Sequence, residues 1–240
     1  GAPAAWASGF SGAGQNIAIL DSGVDKNHPL LAGKVVSEAC YSTTVGNTTS
    51  VCPNGVAETT EPNSGVNCPT NVAGCAHGTH VAGIAAGRGA NFSGVAKDAN
   101  IIAIQVFSRV NSASDCGTNP APCALSYVSD QVKALERVLA LSETMPIAAV
   151  NMSLGGGRYT AHCDLVQPSR KAIIERLRAV GVATIISSGN NSYTDSMGAP
   201  ACISSAISVG STDDGGSGTT ADAVSGVSNS SSLVTVLSTG

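Results

Sequence analysis

The residues Ile17-Ala18-Ile19-Leu20-Asp21-Ser22-Gly23 are the first indication of the fold, because an unbroken apolar run ends there in a polar turn. A short apolar run without polar alternation is typical of a β-strand that is covered on both faces. The same pattern returns along the chain. Further runs occupy residues 101–107, 148–152 and 183–186, and shorter ones occupy 207–209 and 233–237.

Segments with helical spacing lie between these runs. Apolar residues recur every three or four positions over residues 77–86, 129–141 and 169–180, and Ser169 is the expected N-cap of the third helix. Strands that alternate with helices predict an α/β fold, with a mostly parallel central sheet and helices on both faces. The sequence contains no internal repeat and no clear linker, so we predict one domain over residues 1–240.

The composition narrows the classes of partner. Hydrophobic residues make up 42% of the 240 residues but aromatic residues only 3%, so the core must be built from Ala, Val, Ile and Leu. The net charge is −4 and no run of Lys or Arg occurs, which argues against nucleic acid and membrane as partners. No apolar stretch approaches 18 residues, the length that a membrane-spanning helix needs. No signal peptide is recognisable, so we expect residues 1–6 to be a processed N-terminus.

The even number of cysteines, with no C-x-x-C pair, predicts disulfides and therefore a secreted protein or another oxidising compartment. Eight cysteines allow 105 pairings. Closure of short loops favours three disulfides, and the two remaining cysteines form the fourth. The alternative is that the cysteines are free and packed in the core. The favoured pairs are Cys40–Cys52, Cys68–Cys75, Cys116–Cys123 and Cys163–Cys202.

Two stretches look like surface loops. Residues 40–75 are rich in Asn, Thr, Gly and Pro and carry four of the cysteines, so we expect a disulfide-stapled surface excursion. Residues 213–232 have a similar composition without cysteines, and we expect a mobile loop there.

Polar residues follow the predicted strands at the points where sites form in open α/β sheets. Asp21 follows the first strand, Ser153-Leu154-Gly155 follows the third and Asn190 follows the fourth, while His77 begins a helix. We expect these residues to meet at one rim of the sheet. An orienting carboxylate, an imidazole base and an oxyanion donor are the groups that acyl transfer needs.

Four motifs carry a resemblance to a known family. They are Leu20-Asp21-Ser22-Gly23, His77-Gly78-Thr79-His80, Asn151-Met152-Ser153-Leu154-Gly155-Gly156 and Ser187-Ser188-Gly189-Asn190. In this order they resemble the motifs of the subtilisin-like serine proteases. The resemblance implies the subtilisin-like three-layer fold and a secreted endopeptidase that hydrolyses polypeptides by a Ser-His-Asp mechanism.

The resemblance also implies the roles of the polar residues. Asp21 would orient His77, and His77 would act as general base and then as general acid. Because His77 must be unprotonated to act as base, activity is expected at neutral to alkaline pH. Asn190, preferred over its neighbour Asn191, would donate its side-chain amide to the oxyanion.

Substrate binding is assigned by the same resemblance. Ser153, Leu154 and Gly155 would add a strand to the bound peptide. Gly155 and Gly189 would line the first specificity pocket, and the insertion at 109–123 would border the substrate cleft.

Each of these residues has a simpler interpretation beside the catalytic one. Asp21 and His77 could be a turn residue and a helix-terminal residue, an alternative that their joint occurrence disfavours. His80 is expected to be packed and hydrogen-bonded, and His28 and His162 to be solvated. The Ser153 hydroxyl is expected to be structural.

The resemblance fails at the nucleophile. The Gly-Thr-Ser segment of the family does not occur in the sequence, and the nearest fragment is Gly218-Thr219-Thr220. Three alternatives remain open: the 240 residues are part of a longer enzyme, the serine lies on a second chain after a nick near Gly240, or the protein is a non-catalytic relative that binds peptides. The first two predict a partner, namely the remainder of the catalytic domain.

No cofactor is expected for the chemistry, and no metal. Structural calcium is common in the family, but the loop at 87–93 is short and Thr235 stands where a second site would use Asp. Asp195, Asp213 and Asp214 are expected to be solvated. A dinucleotide site is disfavoured, because the glycine-rich residues 9–14 precede the first strand instead of following it.

Overall fold

The protein is described here by a computed structural model, which covers residues 1–117 and 119–239. The chain divides into two compact units, Gly1–Val150 and Asn151–Gly240. The prediction of a single domain stays a prediction. None of the helices in the described ranges combines the length and the apolar character that crossing a membrane requires.

The first unit contains three helices and most of the strands. The helices are α1 (Ala2–Ala7), α2 (His77–Ala86) and α3 (Val128–Ser142). The strands are β1 (Asn16–Asp21), β2 (Val35–Tyr41), β3 (Thr48–Thr49), β4 (Glu58–Thr59), β5 (Asn100–Gln105), β6 (Phe107–Val110), β7 (Cys123–Ser126) and β8 (Ile147–Met152), the last of which runs across the boundary.

Five of these strands lie in one sheet, in the order β8-β1-β5-β2-β4. Strands β1, β5 and β2 are parallel, with Ile17 opposite Ile101, and the short β4 is antiparallel to β2. A second, antiparallel sheet joins β3, β6 and β7. Mostly parallel pairing, with the antiparallel strand at an edge, agrees with the α/β prediction.

The apolar runs form strands because both faces of the sheet are covered. On one face Ile19, Ile101 and Ala103 pack in a cluster with Ala82 and Ala86 of α2. The alternate residues of β1 and β5 point to the opposite face. These residues are also completely buried, and α3 packs against β1 and β2; they are Ala18, Leu20, Ile102 and Ile104.

The second unit holds one helix, α4 (Pro168–Ala179), and the remaining strands. These are β9 (Gly156–Tyr159), β10 (Ala183–Ser187), β11 (Met197–Ala199), β12 (Ile207–Thr212) and β13 (Val236–Thr239). Strands β10, β12 and β13 pair in parallel in that order, and α4 packs against β10. Strands β9 and β11 form a separate antiparallel pair.

Four details differ from the sequence-based predictions. The run at 101–107 is two strands, because the chain breaks pairing between Gln105 and Phe107, and the last strand begins only at Val236. Helix α1 was not predicted, nor were six of the strands, namely β2, β3, β4, β7, β9 and β11. The N-cap of α4 is Gln167 and not Ser169, because Pro168 occupies the first turn; there the missing N–H of proline costs nothing.

The stretch at 213–232 is not wholly a surface loop. Ser228 and Asn229 near its end are buried, at 4% and 0% exposure. Polar residues of this kind look like loop residues in a sequence, because their burial depends on partners elsewhere in the chain.

The structure contains four disulfides with the predicted pairing: Cys40–Cys52, Cys68–Cys75, Cys116–Cys123 and Cys163–Cys202. Their Cα–Cα distances lie between 5.2 and 5.8 Å, as expected for disulfides. All eight cysteines are oxidised. Three bridges lie in the first unit and one in the second.

Candidate active site

Asp21 is a fully buried carboxylate at the carboxyl end of β1. Its Oδ1 atom accepts a hydrogen bond from the backbone N–H of Ser22 at 2.7 Å. A buried carboxylate is tolerated only when it is hydrogen-bonded or paired. The second partner of Asp21 is a histidine.

His77 is the first residue of α2, and its ring lies against Asp21. Nδ1 is 2.8 Å from Oδ1 and 3.0 Å from Oδ2 of the carboxylate. With a proton on Nδ1 donated to Asp21, the neutral ring has an unprotonated Nε2, which can accept a proton. The His77 side chain is 48% exposed, so solvent or a substrate can reach the ring.

The electrostatics of the pair favour the imidazolium form. The hydrogen bond from His77 to Asp21 raises the pKa of His77, burial lowers it, and the charge of Asp21 raises it further, with a net increase. The direction is that of a carboxylate that stabilises a protonated imidazole.

Two glycines shape the surroundings of this contact, and Gly78 lets α2 approach β1 closely. A Cβ atom on Gly78 would overlap the carbonyl oxygen of Gly23 and lie 3.0 Å from the Cβ of Asp21. Gly23 has a φ of +91°, and a Cβ there would overlap the carbonyl oxygen of Val66. Both positions therefore require glycine.

Ser22 and Gln105 hold the same turn together. Ser22 Oγ accepts from Gly78 N at 3.0 Å and donates to the carbonyl oxygen of Cys75 at 3.2 Å. Gln105 Nε2 donates to the Ser22 carbonyl at 2.8 Å. Both side chains are buried. Neither was singled out from the sequence, although a buried Gln at the end of an apolar strand was a usable signal.

In the second unit, Ser153, Leu154 and Gly155 lie outside any strand, between β8 and β9. Ser153 Oγ accepts a hydrogen bond from Asn151 Nδ2 at 2.9 Å, and Leu154 is buried. The Gly155 backbone packs against β11, since a Cβ there would lie 3.0 Å from the carbonyl oxygen of Ala199. The segment is thus fixed on one side by side-chain contacts and β11.

Asn190 follows β10, and its residue is exposed. Its neighbour Asn191 is engaged, because Asn191 Oδ1 accepts from Asn229 Nδ2 at 3.3 Å and Asn191 N donates to Asn229 Oδ1 at 2.8 Å. Gly189, just before, has a φ of +110°. Asn229 therefore bonds the side chain of Asn191 but not that of Asn190.

The other histidines were predicted less well. His80 is exposed and not packed, because α2 buries Gly78, Ala82 and Ala86, which recur every four residues on another face. His28 is half-buried and its Nδ1 accepts from Leu30 N at 3.3 Å, so it is not simply solvated. His162 is exposed, but its Nδ1 lies 3.2 Å from the carbonyl oxygen of Cys202, so it is not simply solvated either.

Over residues 1–117 and 119–239, no three His, Cys, Asp or Glu side chains are placed to hold a metal ion together. The Asp195 carboxylate is engaged by Arg158 Nη2 at 2.8 and 2.9 Å and by Ser196 Oγ at 2.9 Å. Asp214 is exposed and Asp213 is partly so.

These features define an α/β protein with a hydrogen-bonded carboxylate–imidazole pair at the end of a parallel strand. The sequence profile of the Subtilase family matches residues 12–240. The chain belongs to the Subtilase family.

Curated relatives cover most of the chain. It is 30% identical to the subtilisin-like protease PopC of Myxococcus xanthus over 89% of the chain, and 33% identical to a subtilisin of a Bacillus species over 82%. The alkaline serine exoprotease A of Vibrio alginolyticus is 28% identical over 98% of the chain. The aligned parts are only 41%, 39% and 34% of these relatives, so the chain spans about two fifths or less of their length.

Solved structures agree on the fold. A protease from Pseudoalteromonas arctica superposes with a TM-score of 0.71 over 99% of this chain and 66% of that one, and at 21% identity it supports the fold alone. A cold-adapted subtilisin-like serine proteinase gives a TM-score of 0.60 at 25% identity over 96% of this chain and 64% of that one. The predicted subtilisin-like α/β fold is confirmed.

Proposed function

We propose that the chain supplies the Asp, the His and the oxyanion donor of a secreted serine endopeptidase. Asp21 orients His77, His77 takes the proton of a serine hydroxyl and returns it to the leaving amine, and Asn190 stabilises the oxyanion. The serine is supplied from beyond Gly240 or by a second chain. The substrates are polypeptides.

The observation that carries this proposal is the pair formed by Asp21 and His77. A fully buried carboxylate whose Oδ1 lies 2.8 Å from Nδ1 of a 48% exposed imidazole fixes the tautomer that a general base needs. A histidine that served only packing would gain nothing from an exposed ring next to a desolvated charge. The names of the relatives, all proteases, support the same chemistry.

The second unit supports the assignment of the substrate side. The segment Ser153-Leu154-Gly155 is outside any strand while its flanks are held, so its backbone can pair with an extended peptide. By family resemblance, Gly155 and Gly189 would line the first specificity pocket.

Four disulfides and the absence of free cysteine among the described residues support an oxidising, extracellular location. The proposed chemistry uses protein groups alone and needs no cofactor. The disposition of Asp195, Asp213 and Asp214 offers no support for structural calcium.

A peptide-binding protein without hydrolytic activity is the second candidate. The observation that favours it is the absence of a Gly-Thr-Ser segment among the 240 residues. Such a protein would hold an extended peptide through Ser153-Leu154-Gly155 without cleaving it.

Intact-mass measurement separates the two candidates. The folded protein is treated with a fluorophosphonate, which phosphonylates an activated serine. Treated and untreated samples are then reduced and denatured, and their intact masses are compared. We expect a mass increase of one probe on a polypeptide longer than 240 residues or on a second chain. A 240-residue species as the only product, with no added mass, would favour the peptide-binding candidate.

A variant links the labelled serine to this chain. His77→Ala should abolish labelling, because no base remains to activate the serine. His162→Ala is the matched control, since His162 is an exposed histidine of the second unit, and it should label at the wild-type rate. Labelling of His77→Ala at an unchanged rate would exclude His77 as the base.

A further inference from the structure

Asn229 is a polar side chain in an unusual position. Its residue has 0% exposure although it follows a glycine- and serine-rich loop. Burial of a primary amide is costly unless its donors and acceptor are all used. The contacts of Asn229 therefore indicate what the residue is for.

The Asn229 side-chain oxygen accepts two backbone hydrogen bonds. Oδ1 is 2.8 Å from Asn191 N and 3.2 Å from Tyr193 N. Both donors belong to the turn that leaves β10 immediately after Asn190. The two N–H groups have no backbone acceptor in the turn, and the Asn229 side chain supplies one for both.

The side-chain nitrogen fixes the other side of the same turn. Nδ2 donates to the Ser188 carbonyl at 3.0 Å and to Asn191 Oδ1 at 3.3 Å. The backbone adds two bonds, from Asn229 N to the Gly189 carbonyl at 2.8 Å and from Ser188 Oγ to the Asn229 carbonyl at 2.7 Å. The bonds fall on residues 188, 189, 191 and 193, and they enclose Asn190 without using its side chain.

Gly189 shows how closely this packing is set. A Cβ atom at Gly189 would overlap Asn229 Nδ2, and its φ is +110°. The glycine is therefore required by the amide of Asn229 as well as by its own backbone conformation.

We propose that Asn229 is the positioning residue for the oxyanion donor Asn190, an inference that rests on the proposed function. Asn229 holds the backbone on both sides of Asn190 and occupies the side chain of Asn191. The backbone that carries the Asn190 side chain is then held in place before substrate binds. A donor fixed in advance needs no reorganisation when the oxyanion forms, which is the condition for strong stabilisation.

The test compares wild type, Asn229→Ala, Asn190→Ala and the double variant with a peptide p-nitroanilide that the wild type cleaves. Removal of an oxyanion donor is known from subtilisin itself to cost about 100- to 1,000-fold in kcat. We expect Asn229→Ala to lower kcat by about tenfold or more with KM changed less than about twofold. In the Asn190→Ala background the same substitution should cost less than about twofold.

Two further variants separate positioning from general stability. Ser208→Ala removes a buried hydroxyl of the same unit that bonds Thr235 and Leu233 and does not touch the turn. It should lower the unfolding midpoint in urea without the selective loss of kcat. Asn229→Asp has nearly the same volume and keeps the Oδ1 acceptor for the N–H groups of Asn191 and Tyr193. It places an oxygen where Nδ2 donated and should still lose kcat.

Amide hydrogen exchange provides a measurement that does not depend on turnover. In Asn229→Ala the N–H groups of Asn191 and Tyr193 should exchange faster, whereas in Asn229→Asp they should stay protected. Equal exchange at these amides in wild type and Asn229→Ala would overturn the inference.

The kinetic outcomes are distinguishable. Absence of turnover and of fluorophosphonate labelling in the wild type would overturn the proposed function, and the role of Asn229 with it. An active wild type in which Asn229→Ala and Asn190→Ala lower kcat independently, with multiplied effects, would overturn the role of Asn229 alone. A loss for Asn229→Ala that disappears in the Asn190→Ala background supports it.

Discussion

The Asp21 carboxylate is fully buried, whereas the imidazole that donates to it is half exposed. This asymmetry gives the pair its chemistry, because the buried carboxylate is hydrogen-bonded to the ring while the ring remains open to a reacting group. The hydrogen bond and the charge of Asp21 together raise the pKa of His77 against the opposing effect of burial. The pair therefore has consequences that can be measured by varying the pH.

Asp21→Asn should lower the pKa of His77, because it removes the charge and the acceptor that raise it. The titration of the His77 ring protons by NMR measures this pKa in wild type and variant. Asp115→Asn is the control, since Asp115 is an exposed carboxylate of the same unit whose Oδ1 accepts from Ser114, and it should leave the His77 titration in place. An unchanged titration in Asp21→Asn would contradict the assignment.

Because the pKa of His77 is raised, an increase in pH should raise the activity but lower the contribution of His77 to stability. Only neutral His77 is a base, so the fluorophosphonate labelling rate should rise as the pH increases through the pKa of the folded state. Protonated His77 favours the folded state. Its contribution is complete below the unfolded pKa of about 6.5 and is lost as the pH rises through the folded value. Urea unfolding should therefore show that Asp21→Asn loses more stability in acid than in alkali.

The sheet and its helices connect these residues to the rest of the chain. Apolar runs predicted β1, β8 and β10 closely, and α2 begins and ends as predicted, because an unbroken apolar segment is a plain sequence signal. The signal fails for β2, where Ser37 and Glu38 interrupt the apolar residues. It also fails for Asn229, since a buried asparagine is defined by partners about 40 residues away that a local pattern does not contain.

At the scale of elements, Gly78 controls how closely α2 approaches β1. Gly78→Ala should force the first turn of α2 away from Gly23, at a cost of about 1–3 kcal/mol as for other overpacked sites, and should break the hydrogen bond between His77 and Asp21. The unfolding free energy in urea and the downfield Nδ1 proton resonance of His77 report the two effects. Gly226→Ala is the control, because a Cβ there meets nothing within 4 Å and its φ is not positive. If Gly78→Ala is destabilised but keeps the Nδ1 resonance, the hydrogen bond between His77 and Asp21 does not depend on the packing of Gly78, and the prediction is wrong.

For the molecule as a whole, covalent bridges compensate for a core that is poor in aromatic residues. Only 3% of the residues are aromatic and 12% are charged, so neither large rings nor ion-pair networks can contribute much. The pairing of the cysteines was predicted correctly because three of the four bridges close short loops, of 7, 7 and 12 residues. The fourth, Cys163–Cys202, followed by elimination and spans 39 residues.

The bridges should contribute unequally to stability. In the loop-entropy description, closing the 39-residue loop of Cys163–Cys202 stabilises by about 4 kcal/mol, and closing the 7-residue loop of Cys68–Cys75 by about 2.5 kcal/mol. Replacing each pair with alanines and measuring urea unfolding under non-reducing conditions gives the two losses directly. Cys163→Ala/Cys202→Ala should be the less stable variant by about 1.5 kcal/mol. The opposite order would contradict the loop-entropy description and mean that the short bridge acts chiefly in the folded state. Both of its cysteines are hydrogen-bonded through their backbones to Ser22, so the bridge would then hold Asp21 and His77 in place.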